Sequence, residues 1–310
     1  MKVLSRAADL DSHGRRVCLA IGVFDGVHLG HQQVIRQTIH DARDHEAVAT
    51  VVTFDPHPAA ILTPARVPPS IYPLWQKTEV IESLGADAML LIRFDLEFSK
   101  IRGDDFIRGL ARDFGQIASI CVGSTFTFGH RRGGNVELLR KLGGQLDFMV
   151  HGLAAVALDG DVVSSTRIRN AIRDAKLDAA SQMLGRAYAL CGTVVRGDQL
   201  GRQLGFPTAN LDITGLAVPP SGVYAVHAAG DGTVRRGVLN IGHRPTVSGA
   251  NPELRAEVHL FDFDADLYGK QMRVTFAGKL REEQKFPSLT ALQDQIRRDV
   301  DAAQKLFARG

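Results

Sequence analysis

The sequence predicts an α/β domain followed by a β domain: a parallel sheet covered by helices, then an antiparallel sheet or small barrel with a last helix. Three observations predict it. Short, apolar, β-branched runs alternate with helical patterns through the first 185 residues, the signature of strand–helix–strand crossovers. After about Gly185, strand-like segments follow one another with no helix of useful length between them. The 310 residues also suit two domains of about 150 residues each.

The elements follow in order. Residues 17–24 are the first apolar strand, and a Gly- and His-rich loop succeeds it. Val34, Ile35, Ile39 and Ala42 recur at helical spacing and predict a helix over 30–44. Strands are expected at 47–54, 88–92, 117–122 and 146–150, and helices at 75–84, 104–114 and 135–142. Such runs imply a sheet buried on both faces. Another helix begins near Arg167. In the second part, strands are expected at 188–195, 222–229, 234–241, 254–261 and 271–276. The last helix covers 288–307, with Leu292, Ile296, Val300 and Leu306 on one stripe and Ser288 as N-cap. The boundary falls near 183–188, dividing the chain into 1–185 and 186–310.

Composition narrows the function. Hydrophobic residues make up 45% and charged residues 23%, values of a soluble globular protein rather than a disordered or fibrous one. The 37 basic and 34 acidic residues leave a net charge of +3, too balanced for a nucleic-acid coat or a membrane-surface binder. Cys18, Cys121 and Cys191 are far apart and odd in number, which argues against a disulfide framework or zinc site and for reduced thiols. No apolar stretch approaches the roughly 20 residues of a membrane helix, and the N-terminus lacks a signal-peptide core. The expectation is a soluble, cytoplasmic protein with no nucleic-acid or membrane partner, and a homo-oligomer left open.

The strongest local signal runs from Gly22 through Phe24, Asp25, His28 and Gly30 to His31, between a strand and a helix. Phosphates bind at that place in parallel sheets, where a helix N-terminus offers unpaired N–H groups. His28 and His31, three residues apart, suit charge stabilisation on phosphate oxygens. A Gly-rich turn with two exposed histidines is the alternative. Ser164, Ser165, Thr166, Arg167 and Arg169 open the later helix; hydroxyls and guanidinium forks there suit either a polyphosphate or a capped surface helix. Two weaker segments also follow strands. His57 lies in a proline-bounded turn and reads as a site or a structural residue. Phe126 and Phe128 offer a planar ring a stacking surface, or they belong to the core.

In the second part, backbone N–H groups around Gly201 and Gly205 suit phosphates. Thr208 and Asn210 share one face of an extended segment and carry hard oxygen donors suited to Mg²⁺; a turn with local hydrogen bonds is the alternative. Glu257 lies on the outer face of an alternating strand, either as a solvated carboxylate or as a general base for an attacking hydroxyl.

Taken together and in order, these segments resemble the bacterial bifunctional riboflavin kinase/FMN adenylyltransferase (FAD synthetase) family, over nearly the whole chain. Asn240-Ile-Gly, Arg244-Pro-Thr246 and Lys285-Phe-Pro-Ser288 add to the resemblance. It implies a Rossmann-like nucleotidyltransferase domain and a six-stranded β-barrel kinase domain. The kinase would convert riboflavin and MgATP to FMN. The adenylyltransferase would convert FMN and MgATP to FAD and pyrophosphate. It further implies that His28 and His31 contact ATP phosphates and that Ser164 to Arg169 holds the leaving pyrophosphate. Thr208 and Asn210 would contact magnesium and phosphate, Glu257 would be the base, and Arg281 would contact the flavin. Thr125 and Thr127 depart from the family pattern, which has Asn or Asp before the first Phe and often a basic residue between the two Phe. A kinase with a weak or inactive adenylyltransferase domain is therefore the alternative.

Overall fold

The computed structural model describes residues 1–198, 200–244 and 253–309. It divides into two compact units. The first comprises Met1–Ser70, Leu74–Arg167 and Met183–Gly185; the second comprises Ile71–Pro73, Ile168–Gln182 and the chain from Arg186 onward.

The first unit is built on a parallel sheet. Its strands are β1 (Lys2–Leu4), β2 (Val17–Ile21), β3 (Val48–Asp55), β4 (Ala88–Arg93), β5 (Ile117–Gly123) and β6 (Met149–Leu153), in the order β1-β4-β3-β2-β5-β6. All five pairings are parallel. Side chains alternate across the sheet, so Leu19 and Ile21 enter one apolar cluster while Cys18 and Ala20 enter another on the opposite face. Helix α1 (Leu29–Asp44) covers one face through Val34, Ile35, Ile39 and Ala42. After the short α2 (Pro58–Leu62), α3 (Leu74–Ser83) adds Val80 and Ile81 to that face. Helices α4 (Gly103–Phe114) and α5 (Val136–Leu146) cover the other through Phe106, Ile107, Leu139 and Leu142. The connections run from β2 outward to β3 and β4, then return to the far side of β2 at β5. The carboxyl ends of β2 and β5 therefore flank the switch point, where ligands bind in open parallel sheets.

A two-stranded hairpin follows, β7 (Ala157–Leu158) and β8 (Asp161–Val162), and then α6 (Ser165–Arg173) and α7 (Leu177–Leu184). The second unit holds β9 (Ala189–Val195), the one-turn α8 (Leu200–Gln203), β10 (Ala209–Asp212), β11 (Gly222–Ala229), β12 (Val234–Arg244), β13 (Glu253–Leu260) and β14 (Gln271–Arg281). These strands close into an antiparallel barrel in the order β10-β13-β12-β11-β14-β9. Leu190, Leu211, Val226, Leu239, Ala256, Val258 and Met272 fill it. Helix α9 (Leu289–Phe307) packs Ala303 and Phe307 on Val223, Ala225 and Val238 of the barrel's outer face. The Ser288 hydroxyl caps α9 by accepting from the Ala291 N–H at 3.1 Å, a contact worth about 1 kcal/mol.

Several boundaries differ from expectation. The strand expected over 17–24 stops at Ile21, because Phe24 takes a left-handed conformation with φ 53°. The strand expected over 146–150 begins only at Met149. Helix α5 continues through Gly143 and Gly144, and left-handed Asp147 ends it by donating its N–H to the Gly143 carbonyl. Strand β14 extends five residues past expectation, and two register shifts against β11 let it curve around the barrel. The sequence pattern missed the edge strand β1 and the β7–β8 hairpin, whose Asp159-Gly160 turn carries φ 55° and 83°. Pro245 and Thr246 of the Arg244-Pro-Thr segment lie outside the described residues.

Candidate active sites

In the first unit, the loop after β2 is a sequence of left-handed residues: Phe24 at φ 53°, Gly26 at 76° and Val27 at 42°. The Phe24 ring folds back against Gly22, where a Cβ would come within 3.0 Å of it, so any larger residue would push the ring outward. His28 caps α1, its Nδ1 accepting from the His31 N–H at 3.4 Å. Gly30, in the first turn of α1, lies against the His28 ring. The two imidazoles stack with centroids 3.6 Å apart, and Phe24 meets His31 edge-on at 5.3 Å. The histidines are thus a packed pair on a helix N-terminus, not loose surface groups. Burial, with the charges of His28 and Lys77 adding to it, holds the His31 pKa well below the ordinary histidine value. The ring stays neutral near pH 7. Its Nδ1 is buried with no hydrogen-bond partner among the described residues.

Three carbonyls of this loop are pinned by side chains from elsewhere. Thr53 Oγ1 donates to the Val23 carbonyl at 3.0 Å. Ser165 Oγ donates to the Asp25 carbonyl at 3.0 Å. Gln32 Nε2 donates to the Val27 carbonyl at 2.9 Å and to Leu184 at 2.7 Å. Lys77 Nζ also reaches the Val23 carbonyl at 3.4 Å and Thr53 Oγ1 at 3.3 Å. The sequence reading missed Gln32 and Lys77. For Lys77 a signal existed: with Val80 and Ile81 it forms an i, i+3, i+4 stripe, the buried side of α3.

The other expected residues of this unit divide. Ser164 Oγ caps α6 by accepting from the Arg167 N–H at 3.2 Å. Thr166 is exposed. Arg167 Nη1 donates to the Leu158 and Asp161 carbonyls, both at 2.9 Å, so it braces the β7–β8 hairpin. Arg169, two residues on, is buried. His57 caps α2, its Nδ1 accepting from the Ala59 N–H at 3.1 Å. Phe128 is a core residue, enclosed by Phe106, Phe126 and Gly134, so it offers no open face to a flavin. Phe126 stacks on it at 5.3 Å and is only half-buried.

In the second unit, barrel register assembles the site. Asn210 and Asn240 are both Cα partners of Glu257, one from each neighbouring strand. Val223 pairs in turn with Asn240 and with Arg281. Ala256 and Val258 point into the barrel, so Glu257 points outward. It lines a cavity of about 630 Å³ with Thr208, Asn210, Asn240, Arg281 and Asp299. Thr208 also lines a second cavity of about 200 Å³ with Phe263, Asp266 and Tyr268. Thr208 thus borders both a larger and a smaller chamber, and Asn210 borders the larger.

Local contacts hold this arrangement. A Cβ on Gly197 would strike the Asn210 amide, so glycine makes room for it. His259 Nδ1 donates to the Pro207 carbonyl at 2.8 Å, tying the loop before β10 to β13. Gln293 of α9 donates to the Leu204 carbonyl at 2.9 Å. Arg281 is engaged by Asp299 in a two-point ion pair, Nε to Oδ1 at 2.9 Å and Nη2 to Oδ2 at 2.8 Å. Gln295 Nε2 also donates to Asp299 Oδ1 at 2.9 Å, and neither residue nor the pairing was foreseen from sequence. Gly201 and Gly205 differ from the open cradle expected. Gly201 lies in α8, and the Gly205 N–H is engaged by the Arg202 carbonyl at 3.2 Å.

Comparison with known proteins agrees with two units of different kinds. The FAD synthetase family model matches residues 10–167, and the riboflavin kinase model matches 184–307. A curated bifunctional riboflavin kinase/FMN adenylyltransferase of Escherichia coli K12 is 37% identical over 99% of this chain and 98% of that protein. One from Pseudomonas fluorescens is 40% identical over 94% of each. A solved structure described as a macrolide-efflux protein from Streptococcus pneumoniae is 28% identical, covers 97% of this chain and 98% of that chain, and has a TM-score of 0.80. No helix among the described residues is long and apolar enough to cross a membrane. Matched end to end by such relatives, with a covered parallel sheet in one half and a closed barrel in the other, the chain belongs to the bifunctional riboflavin kinase/FMN adenylyltransferase family.

Proposed function

We propose that the chain makes FAD in two steps, each in one part. Residues 186–310 phosphorylate riboflavin with MgATP to FMN, and residues 1–185 adenylylate FMN with MgATP to FAD and pyrophosphate. The observation that carries this reading is the contrast between the two sites. The barrel presents Glu257 beside Asn210 and Asn240 on a cavity of about 630 Å³. The first unit presents a stacked imidazole pair on a helix N-terminus.

The chemistry requires that contrast. Riboflavin attacks through a ribityl hydroxyl, which must lose its proton, and Glu257 is the carboxylate to accept it. The larger cavity suits the flavin and the smaller one the nucleotide, with Thr208 between them. FMN attacks through a phosphate that is already ionised, so the first site needs charge stabilisation rather than a base. His28, neutral His31 and the first turn of α1 supply donors to the ATP phosphates, with Gly22, Phe24, Asp25 and Gly30 shaping the approach. Ser164 to Arg169 borders the pyrophosphate, and Phe126 is the aromatic surface for the flavin ring. Arg281 acts on the flavin as part of its pair with Asp299.

The hydroxyl of Thr208 and the amide oxygen of Asn210 are hard neutral donors that fit Mg²⁺, and Gly197 leaves the Asn210 amide uncrowded. Bound there, the ion would neutralise charge on the transferring phosphate. The three buried cysteines, each held as a thiol outside any disulfide, support a reducing, cytoplasmic location.

A chromatographic time course tests the function. Riboflavin, ATP and Mg²⁺ should give FMN and then FAD, and a reaction started from FMN should give FAD directly. FMN without FAD in either reaction would overturn the adenylyltransferase half and direct attention to Thr125 and Thr127.

A further inference from the structure

Lys77 is buried, 8% exposed, and belongs to none of the segments that carry the resemblance. An ammonium so placed is costly, because burial removes its hydration. Two of its three N–H groups have acceptors, Thr53 Oγ1 at 3.3 Å and the Val23 carbonyl at 3.4 Å; the third has no hydrogen-bond partner among the described residues. Asp25 and Asp55 act on it favourably, while burial lowers its pKa. An apolar side chain would satisfy α3 with less desolvation. The charge therefore calls for a reason beyond stability.

The loop it touches supplies one. Val23 precedes Phe24 at φ 53°, and Val27 lies at φ 42°. A β-branched residue in the left-handed region costs about 1–3 kcal/mol and persists only where its surroundings enforce it. Here the enforcement is spread over the carbonyls of Val23, Asp25 and Val27, each held by a side chain from outside the loop. At Val23 the holder is the Thr53 hydroxyl backed by Lys77, the one charged group among these anchors. The same ammonium acts on His31, the ring that the turn delivers to the start of α1.

We propose that Lys77 is a positioning residue of the adenylyl-transfer site, its buried ammonium holding the Val23 carbonyl and with it the left-handed turn that aims His28 and His31. This rests on the reading of that loop as the ATP-phosphate site. Lys77 touches no reacting atom in this role; it acts through the backbone of the loop and through its field at His31.

The test uses the full chain with Lys77→Met, which keeps the length of the side chain and removes its charge and donors. FAD formation from FMN and MgATP is measured, with FMN formation from riboflavin in the same preparation as the folding control. The kcat for FAD formation should fall between about tenfold and hundredfold, the scale of a misplaced reacting geometry. The KM for FMN and the kinase rate should hold. In the same variant the titration midpoint of the His31 ring, followed by NMR, should move upward, because the Lys77 charge is one of the influences that hold it down. An unchanged kcat for FAD formation overturns the proposal, as does an unmoved His31 midpoint. If Lys77→Met loses the kinase rate as well, Lys77→Gln decides. It removes the charge while keeping a polar donor on α3, and a kcat for FAD formation equal to wild type overturns the proposal. A wild-type chain that makes FMN but no FAD overturns the underlying reading and this inference with it. Wild-type FAD formation with an unimpaired Lys77→Met overturns the inference alone.

Discussion

Ser165 donates its hydroxyl to the backbone carbonyl of Asp25 at 3.0 Å, across 140 residues of sequence. One hydrogen bond thus joins the two segments that sequence marked for phosphate binding. Neither segment alone distinguishes a phosphate site from a capped turn. Joined, they meet beyond the carboxyl end of β2, beside the switch point of a parallel sheet, the place where ligands bind in such folds.

The two sites should fail independently. Glu257→Gln removes the proposed base while keeping the side chain's size and much of its hydrogen bonding. FMN formation should fall by about 10²–10⁴-fold, the usual contribution of a general base. FAD formation from supplied FMN should stay within twofold of wild type. Parallel assays of the two half-reactions check this, and equal loss of both would contradict separate sites.

The converse holds for the imidazole pair. His28→Ala combined with His31→Ala removes the α1 cap and both ring donors. FAD formation should drop by roughly 10²–10³-fold, as for loss of aligned transition-state donors. Riboflavin phosphorylation should continue. Survival of FAD formation at the wild-type rate would remove these histidines from the mechanism.

Stability in the barrel should depend on the pairing of Arg281 with Asp299. Asp299 is buried and accepts both Arg281 bonds and one from Gln295. Asp299→Ala leaves a partly buried guanidinium unpaired and should cost about 3–5 kcal/mol. Arg281→Met combined with Asp299→Leu should recover much of that stability while weakening riboflavin binding. Thermal unfolding and riboflavin titration separate the two effects.

The neutral state of His31 makes a pH prediction. In the unfolded chain the ring takes up a proton near pH 6.5, whereas in the folded chain burial holds its pKa well below that value. Below pH 6.5 the unfolded chain therefore binds more protons at this site. Stability should fall as pH drops from about 7 toward 5. His31→Gln should flatten that slope. Denaturant unfolding at pH 7 and pH 5.5 tests this, and an identical slope in the two proteins would refute it.

How much of the site was legible depended on backbone context. Glu257 and Asn210 could be placed on strand faces because alternation needs only local sequence. Their adjacency depended on barrel register. Phe128 looked like Phe126 in sequence, yet neighbours from α4 and from the turn before α5 enclose it. Arg167 looked free to grip a phosphate, but the β7–β8 hairpin, whose short strands gave little periodic signal, engages it. The Gly205 turn closes on itself because α8 forms where sequence suggested only a loop.

The sequence by itself determined the two-part architecture, the order of its longer strands and helices, and the chemical types in each marked segment. Those follow from hydrophobic period and from motif spacing, which are local properties. Tertiary structure decided which of the marked residues meet. Parallel crossovers brought Ser165 to Asp25, barrel closure set Asn210 and Asn240 on either side of Glu257, and the fold of α3 under the β2 loop buried Lys77. The physical reason is that a hydrogen bond or an ion pair depends on distances of about 3 Å, and side chains far apart in sequence reach those distances only through packing.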